Sequence, residues 1–136
     1  MIQKEVAQRL CAKSGSKDYG AVTIATQYYS NPQILENVPA SSFIPAPKVD
    51  SAVISLELLE KPRVNPKEEK RYFELIKAAF SQRRKTLANA LSSSGKFGAK
   101  EDIISVIKKC GFDENIRGER LSIEDFCVLC DNFCDC

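Results

Sequence analysis

The sequence of this 136-residue chain predicts an α+β fold in two parts. Residues 1–60 are predicted to form an antiparallel hairpin with helices, and residues 61–136 a small all-helical domain. The hairpin is indicated by positions 52, 54, 56 and 58, which are apolar and alternate with Ser51, Val53, Ser55 and Glu57. That is the period-two pattern of a strand with one buried face. The helical domain is indicated by apolar side chains that recur at helical spacing after residue 64.

Before the hairpin, residues 4–12 and 18–30 are predicted to be helices, and residues 1–3 are too short to make a complete strand. The second helix is predicted to bury a stripe of four side chains, Val22, Ala25, Thr26 and Tyr29. Asn31-Pro32 is expected to end this helix. A strand over residues 33–38 follows, and we expect it to pair with residues 51–58 in the antiparallel sense.

Between the two strands lies a proline-rich segment with Pro39, Pro45 and Pro47. Proline fixes its own φ and pushes the preceding residue toward an extended conformation. The segment contains no glycine or asparagine, so the sequence predicts a stiff arm that does not easily turn back on itself. Such an arm would carry Phe43 at a set place.

Residues 60–64 read as a linker, and Asn65-Pro66 reads as the start of a helix that runs to about Gln82. Asn65 would cap that helix and Glu68 would complete a capping-box-like arrangement. Further helices are predicted over residues 86–91 and 99–110, separated by a loop over 92–98 and stopped by Gly111. Ser122 is predicted to open the last helix with a capping box.

Apolar periodicity predicts a buried face for three of these helices. The members are Tyr72, Phe73, Ile76, Ala79 and Phe80 in the first, Ile103, Ile104 and Ile107 in the third, and Ile123, Phe126, Cys127, Cys130 and Phe133 in the last.

Positive charge is concentrated in one part of the chain, although the net charge is only +2. Residues 61–90 carry nine basic and three acidic side chains, a net of +6, whereas residues 110–136 carry a net of −5. Within the basic stretch, Arg83, Arg84 and Lys85 are consecutive and lie between two predicted helices. Lys77 lies on the first of these helices. A polyanion is the partner that such a stretch favours, and a solvated helix end is the plainer alternative.

Composition excludes several function classes. There is no histidine, so the commonest general base and metal ligand is missing. No apolar run reaches the length of a membrane span and the start is not a signal peptide, so we expect a cytoplasmic chain without membrane contact. The six cysteines are expected to be reduced thiols. Cys127, Cys130, Cys134 and Cys136 have a spacing that invites zinc, but we expect no metal because the first three fall on one apolar helix face.

Two longer motifs then point to a family. The first is F-x-P-x-P-x-V-D-S over residues 43–51, continuing as VDSAVI, and the second is FSQRRKTLANAL over residues 80–91. Together they resemble the KsgA-type adenine dimethyltransferases of small-subunit ribosomal RNA. The resemblance extends from residue 1 to about residue 133. By resemblance, residues 1–60 would be the C-terminal remnant of a Rossmann-like methyltransferase sheet and residues 61–136 a helical RNA-binding domain.

The resemblance also implies a chemistry for the intact protein. Enzymes of this family transfer methyl groups from S-adenosylmethionine to two adjacent adenines near the RNA 3′ end. Phe43 would stack on the target base, because such an enzyme must hold an adenine outside its helical stack. Arg83, Arg84, Lys85, Lys77 and Lys48 would bind RNA phosphates. The expected partners are small-subunit ribosomal RNA and the pre-30S particle.

Two parts of the family pattern are absent from this sequence. The six glycines form no glycine-rich loop for the methyl donor, and the Asn/Asp-Leu-Pro-Tyr catalytic segment does not occur. Both precede this region in the family. We therefore expect this chain to be inactive alone and to bind no cofactor. We also expect it to self-associate, because a sheet cut before its central strands leaves an open edge.

Two alternatives remain open from the sequence alone. One is a large-subunit ribosomal RNA adenine methyltransferase of the antibiotic-resistance type, against which VDSAVI and the RRKT run argue. The other is a non-catalytic module that binds RNA or the ribosome.

Overall fold

The computed structural model describes residues 1–134, which form two compact units. The first unit is Met1–Arg63 and the second begins at Val64. The elements of the first unit are β1 (Ile2–Gln3), α1 (Lys4–Leu10), α2 (Ala21–Tyr29), β2 (Ser30–Val38) and β3 (Ser51–Leu58). Those of the second are α3 (Glu69–Ala79), α4 (Leu87–Ser94), α5 (Lys100–Lys109) and α6 (Ile123–Cys134). Single 3₁₀ turns occur at Ala40–Ser42 and Gly118–Arg120.

The sheet of the first unit has the strand order β1-β3-β2, and both pairings are antiparallel. β2 pairs with β3 along its length, from Ser30 opposite Leu58 to Val38 opposite Ser51, with an irregularity at Leu35. The predicted antiparallel hairpin is therefore confirmed, although β2 begins three residues earlier than expected. β1 pairs only with Ser51 and Ala52 of β3.

The prediction that β3 buries one continuous face is wrong at one end of the strand. Ala52 is fully buried, but Leu56 is 48% exposed and Leu58 is 77% exposed. β1 pairs at the Ser51 end of β3, and α1 begins there as well, with the Lys4 N–H donating to the Asp50 carbonyl at 2.9 Å. β1 and α1 therefore cover the sheet mainly at the Ser51 end of β3. At the Leu58 end, apolar side chains stay at the surface.

The buried face of α2 also differs from the predicted stripe. Thr23, Ile24 and Tyr28 are buried, whereas Val22 is 51% exposed and Tyr29 is 47% exposed. Most positions of this helix are apolar, so periodicity alone did not select a face.

Polar contacts of α2 set its rotation. The Thr23 hydroxyl donates to the Arg9 carbonyl at 2.6 Å and accepts the Gly20 N–H at 3.1 Å. The Gln27 amide donates to the carbonyls of Leu10 and Ala12, both at 3.0 Å. These bonds satisfy carbonyls at the end of α1 and turn positions 23 and 27 toward it.

The start of α3 was predicted wrongly. The helix begins at Glu69 rather than near Asn65. The N-cap residue, Glu68, has an extended backbone and its side chain makes no capping hydrogen bond. The Lys67 N–H instead donates to the Asp131 carboxylate on α6, at 2.9 Å. The predicted cap at Asn65 is therefore absent, and a hydrogen bond from Lys67 to α6 is present next to the start of the helix.

The second unit has a core of large apolar side chains that lie on all four helices. The fully buried members include Leu75, Ile76, Leu87, Leu91, Ile103, Ile107, Phe126 and Leu129. Full burial of one such side chain stabilises a fold by about 1.5–3 kcal/mol. Tyr72 is fully buried too, and its hydroxyl donates to the Ile123 carbonyl at 2.9 Å. Of these residues, Leu75, Leu87, Leu91 and Leu129 are absent from the three predicted faces.

Local end signals explain the other helix boundaries. The Ser122 hydroxyl accepts the Asp125 N–H and the Asp125 carboxylate accepts the Ser122 N–H, both at 3.1 Å, which confirms the predicted capping box. Gly111 follows α5 with φ +89°, as predicted. α4 continues to Ser94 and ends at Gly95 with φ +73°, so the predicted loop begins three residues later than expected. No helix within residues 1–134 is long and apolar enough to cross a membrane.

Candidate nucleic-acid interface

The proline-rich segment is the loop that joins β2 to β3. Because Val38 pairs with Ser51, residues 39–50 must reverse the chain, and the prediction that this segment does not turn back is wrong. A 3₁₀ turn at Ala40–Ser42 begins the reversal, and the Phe43 N–H donates to the Ala40 carbonyl at 3.2 Å. The Asp50 carboxylate accepts the Ala40 N–H at 2.8 Å and so ties the two ends of the loop together. The Ile44–Pro45 peptide bond is cis.

Phe43 is half-buried in this loop, and its neighbour Ile44 is completely exposed. Lys48 is exposed and lines a shallow groove with Lys4 and Asp50. A half-buried aromatic ring on a tied loop can present a surface to a base while losing little freedom. The predicted residues of the first unit are therefore accessible.

In the second unit, residues 83–85 form an exposed basic turn between α3 and α4. The Lys85 N–H donates to the Gln82 carbonyl at 3.0 Å, which places Arg83 and Arg84 at the two corner positions. At the far side of the turn, the Thr86 hydroxyl caps α4 by accepting the Asn89 N–H at 3.3 Å. The turn is thus held by hydrogen bonds that leave the three cationic groups at the surface.

A segment near residue 117 packs against both ends of the basic turn. A Cβ on the buried Gly118 would lie 3.2 Å from the Cβ of Ala79, the last residue of α3. The Leu87 N–H, at the start of α4, donates to the Ile116 carbonyl at 2.8 Å. Arg117 lies between these two contacts and is exposed. The structure therefore adds a fourth cation beside the basic turn.

Sequence reasoning missed Arg117 because it belongs to the stretch with net charge −5. Several acids of that stretch are engaged elsewhere in the unit. Asp113 accepts the Asn115 N–H at 2.8 Å, Glu114 lies 3.2 Å from the Lys108 ammonium, and Asp131 accepts the Lys67 N–H at 2.9 Å. Asp113 and Glu119 also line a groove with Arg117 and Arg120, so this segment brings both acids and cations to the surface.

Lys77 lies on the other flank of the basic turn. It lines a cavity of about 460 Å³ together with Ser81, Gln82, Ser93 and Lys96. The Gln82 Oε1 atom is buried and has no hydrogen-bond partner among the described residues. Hydroxyls and ammonium groups around an unsatisfied amide are a setting that polar ligands favour. The loop before α5 thus contributes Lys96, which sequence reasoning also missed.

The four cysteines whose side chains are described form no disulfide and are partly or fully buried. Burial raises the pKa of the Cys11, Cys110 and Cys127 thiols above the usual value, and Cys130 is buried on α6. Within the described residues, no group of three or more potential ligands could hold a metal ion. The side chain of Cys134 and all of Cys136 lie outside the described residues, so the metal-free prediction stays a prediction.

The described residues do not fit a methyl-donor site of the glycine-loop kind. β1 leads into α1 through Gln3, without a glycine. The glycines with positive φ, at positions 15, 95, 98 and 111, lie in turns that follow helices rather than strands. No glycine-rich turn after a strand is present in residues 1–134 to cradle such a donor.

Comparison with known proteins assigns this chain to a family. Residues 1–134 match the family described as "Ribosomal RNA adenine dimethylase". The chain belongs to this family. A relative from Alkaliphilus oremlandii (strain OhILAs), "Ribosomal RNA small subunit methyltransferase A", is 53% identical over 97% of this chain and 46% of its own length. A relative of the same name from Clostridium acetobutylicum is 50% identical over 96% of this chain and 47% of its own length. The chain thus spans about half the length of the curated relatives it matches.

Two solved structures have a similar fold. A dimethyladenosine transferase from Plasmodium falciparum superposes with a TM-score of 0.74 at 26% identity, over 93% of this chain and 53% of the other. The 23S rRNA methyltransferase ErmE superposes with a TM-score of 0.60 at 21% identity, over 96% of this chain and 52% of the other. The second likeness concerns the fold alone.

Proposed function

We propose that this chain is the RNA-docking and base-contacting part of a small-subunit ribosomal RNA adenine dimethyltransferase. The intact enzyme would transfer methyl groups from S-adenosylmethionine to two adjacent adenines near the 3′ end of the RNA. The observation that carries this proposal is the family match over residues 1–134, with relatives about 50% identical that bear the small-subunit name. The large-subunit alternative has only a fold-level likeness in its favour.

The donor site of the intact enzyme would be formed by protein outside residues 1–134. Two observations support this division of labour. The described residues offer no glycine-rich turn after a strand, and the chain matches only 46% of the length of its relative from Alkaliphilus oremlandii. This chain alone would then act as a non-catalytic RNA-binding module of the cytoplasm, and its partner would be the pre-30S particle.

In the first unit, a remnant of the Rossmann-like methyltransferase sheet, the proposed role of Phe43 is to stack on the target adenine. The supporting geometry is a half-buried ring on a loop whose ends are tied by Asp50 and Ala40. Aromatic stacking holds an extruded base without reading its sequence. Lys48, exposed on the same loop, is proposed to meet a neighbouring phosphate.

In the second unit, a helical RNA-binding domain, the proposed role of the basic turn is to grip phosphates. Arginine can bind phosphate through two parallel hydrogen bonds, and corner positions aim Arg83 and Arg84 in different directions. Arg117 and Lys77 would extend the grip on the two flanks of the turn. Phosphate contacts of this kind position RNA without specifying its sequence.

The test is a binding titration with small-subunit RNA at several salt concentrations. Replacing Arg83, Arg84 and Lys85 together by Ala removes three phosphate contacts, so we expect weaker binding and a salt slope flatter by up to about three. Unrelated RNAs should show a similar change. The matched control replaces Arg9, Lys13 and Lys61, three exposed cations of the first unit, and should change the slope much less. Equal slopes for the two triple variants would make the basic turn a solvated helix end.

The proposed role of Phe43 predicts different effects of the same substitution in this chain and in the intact enzyme. Phe43→Ala should leave RNA binding by this chain nearly unchanged, because most of the affinity comes from phosphates. In the intact protein the same change should lower methylation of the target adenines by tenfold or more, as base stacking contributes about 1–3 kcal/mol. Ile44→Ala, in the same loop and fully exposed, is the control. Equal loss of methylation in both variants would contradict a stacking role for Phe43.

A further inference from the structure

The second unit contains a cavity of about 520 Å³ that the proposed function does not use. Its walls come from α3, the loop before α5, α5 itself and α6. Three cations line it, Arg71, Lys96 and Lys109, with Asp102 as the acid. Phe97 and Phe133 form an aromatic wall, with ring centroids 5.4 Å apart. The cavity therefore combines aromatic surface with an excess of positive charge.

Arg71 is held in a fixed position within this cavity. Its guanidinium lies over the Phe97 ring, 4.1 Å from the centroid. It also donates to the Lys96 carbonyl at 2.7 Å and lies 3.6 Å from the Glu74 carboxylate. Since the side chain is already ordered, a ligand that stacks on the guanidinium would not have to immobilise it. Guanidinium planes and aromatic rings are the surfaces on which unpaired bases stack.

Lys96 joins this cavity to the one beside the basic turn. The same residue lines both cavities, and the second is bordered by Lys77, Ser81 and Gln82. Gln82 directly precedes Arg83 in the chain. Cations and hydroxyls, with the acid Glu74 among them, therefore line a path from the basic turn to the aromatic cavity, along which a single phosphate backbone could pass.

We propose that the cavity bounded by Arg71, Phe97, Phe133 and Lys109 binds one unpaired nucleotide of an RNA strand that also crosses the basic turn. The base stacks on Arg71 and Phe133, and the adjoining phosphate lies between Lys96 and Lys109. The volume of about 520 Å³ accommodates a nucleotide. This inference rests on the proposed RNA-binding function and adds to it a site for a base in the second unit. Stacking is tolerant of base identity, so the site holds a strand in place rather than reading a sequence.

The experiment uses the 136-residue chain and a single-stranded hexa-uridylate RNA with one 2-aminopurine, because uridines stack weakly on their neighbours. Stacking in the cavity should quench the 2-aminopurine fluorescence when the strand binds. Ser105→Leu narrows the cavity without changing charge or adding an aromatic ring, and we expect it to abolish the quenching and to weaken binding about tenfold. Lys96→Gln with Lys109→Gln should flatten the salt slope by up to about 1.4, the value for two contacts to a single strand. The control pair Lys100→Gln with Lys108→Gln removes the same charge from exposed positions of α5 outside the cavity.

The outcomes separate this inference from the proposed function. If the cavity variants match the control pair while the basic-turn triple variant still loses affinity, the nucleotide site is wrong and RNA docking stands. If neither set changes binding, both proposals fail. Quenching that survives in Ser105→Leu would overturn the inference, because the base would then stack elsewhere. An RNA in which the 2-aminopurine is replaced by an abasic residue should bind the wild-type chain about tenfold more weakly than the 2-aminopurine RNA does, whereas Ser105→Leu should bind the two RNAs equally.

Discussion

The two units of this chain differ most in what they leave exposed. Nine of the ten large apolar side chains exposed in the described residues belong to the first unit, and Val128 alone belongs to the second. The nine are Met1, Val6, Val22, Tyr29, Leu35, Ile44, Val49, Leu56 and Leu58. The buried apolar residues divide the other way, five in the first unit and eighteen in the second. The helical unit therefore covers its own apolar surface, whereas the sheet unit does not.

The cause of the difference lies in the sheet. β1 supplies two residues to β3, so residues 53–58 have no partner strand on that side within the described part of the chain. An open strand edge with apolar side chains is a surface on which further protein can pair. In the helical unit, by contrast, every backbone hydrogen bond within a helix is made locally, and only side chains need cover.

The comparison predicts a large effect for a core substitution in the helical unit and a small one in the sheet unit. Phe126 is fully buried and lies against Phe80, with ring centroids 5.9 Å apart. Phe126→Ala should lower the free energy of unfolding of the second unit by about 3–5 kcal/mol. Urea denaturation followed by circular dichroism at 222 nm measures this.

Leu56→Ala is the matched variant for that measurement. Leu56 is 48% exposed, so its truncation should cost less than about 1 kcal/mol. If the two variants shift the urea midpoint equally, the sheet unit has a core that its exposure does not reveal, and the comparison breaks.

Self-association is the next expected effect. The chain should form dimers or larger species at high concentration, because association would cover the open edge and apolar face of the first unit. Leu56→Lys with Leu58→Lys should weaken that association by placing charge on the exposed face. Light scattering over a concentration series measures the mass, and Val128→Lys in the second unit is the control. A wild-type chain that remains monomeric throughout would remove the basis of this prediction.

The smallest expected effect concerns helix caps. Ser122→Ala removes the hydroxyl that accepts the Asp125 N–H, which is one of the two hydrogen bonds of the capping box. It should lower the free energy of unfolding of the second unit by about 1 kcal/mol. Asn65→Ala should have almost no effect, since Asn65 is exposed and lies outside the helix that it was predicted to cap. The same urea titration distinguishes the two. A larger loss at Asn65 than at Ser122 would restore the capping arrangement predicted from sequence.

The sequence predicts those parts of the fold whose causes are local. The capping box at Ser122 and the stop at Gly111 depend on residues within a few positions of one another, and the strand over residues 51–58 follows from an alternation along its own length. The start of α3 could not be predicted, because Asp131 takes the Lys67 N–H from 64 residues away. The rotation of α2 depends likewise on the contact of Thr23 with Arg9, which periodicity does not encode.

The candidate site follows the same division. Arg83, Arg84 and Lys85 adjoin in sequence, so their clustering is visible before folding. Arg117 and Lys96 come beside them only because Gly118 packs on Ala79 and because the loop before α5 returns toward α3. The net negative charge of residues 110–136 concealed Arg117, and Lys96 is far from the basic turn in sequence. The roles of Phe43 and of the basic turn stay predictions until the RNA measurements are made.

Gly118 has a consequence for how this surface can fail. A Cβ at this position would come within 3.2 Å of the Ala79 Cβ and 3.3 Å of its carbonyl oxygen, so a single added methyl group requires a shift of a few tenths of an ångström between the end of α3 and the segment that carries Arg117. Gly118→Ala would then change the spacing between Arg117 and the basic turn while leaving every charge in place. Under the proposed RNA-binding role, a substitution at this buried residue would alter the docking surface without removing any group that contacts RNA.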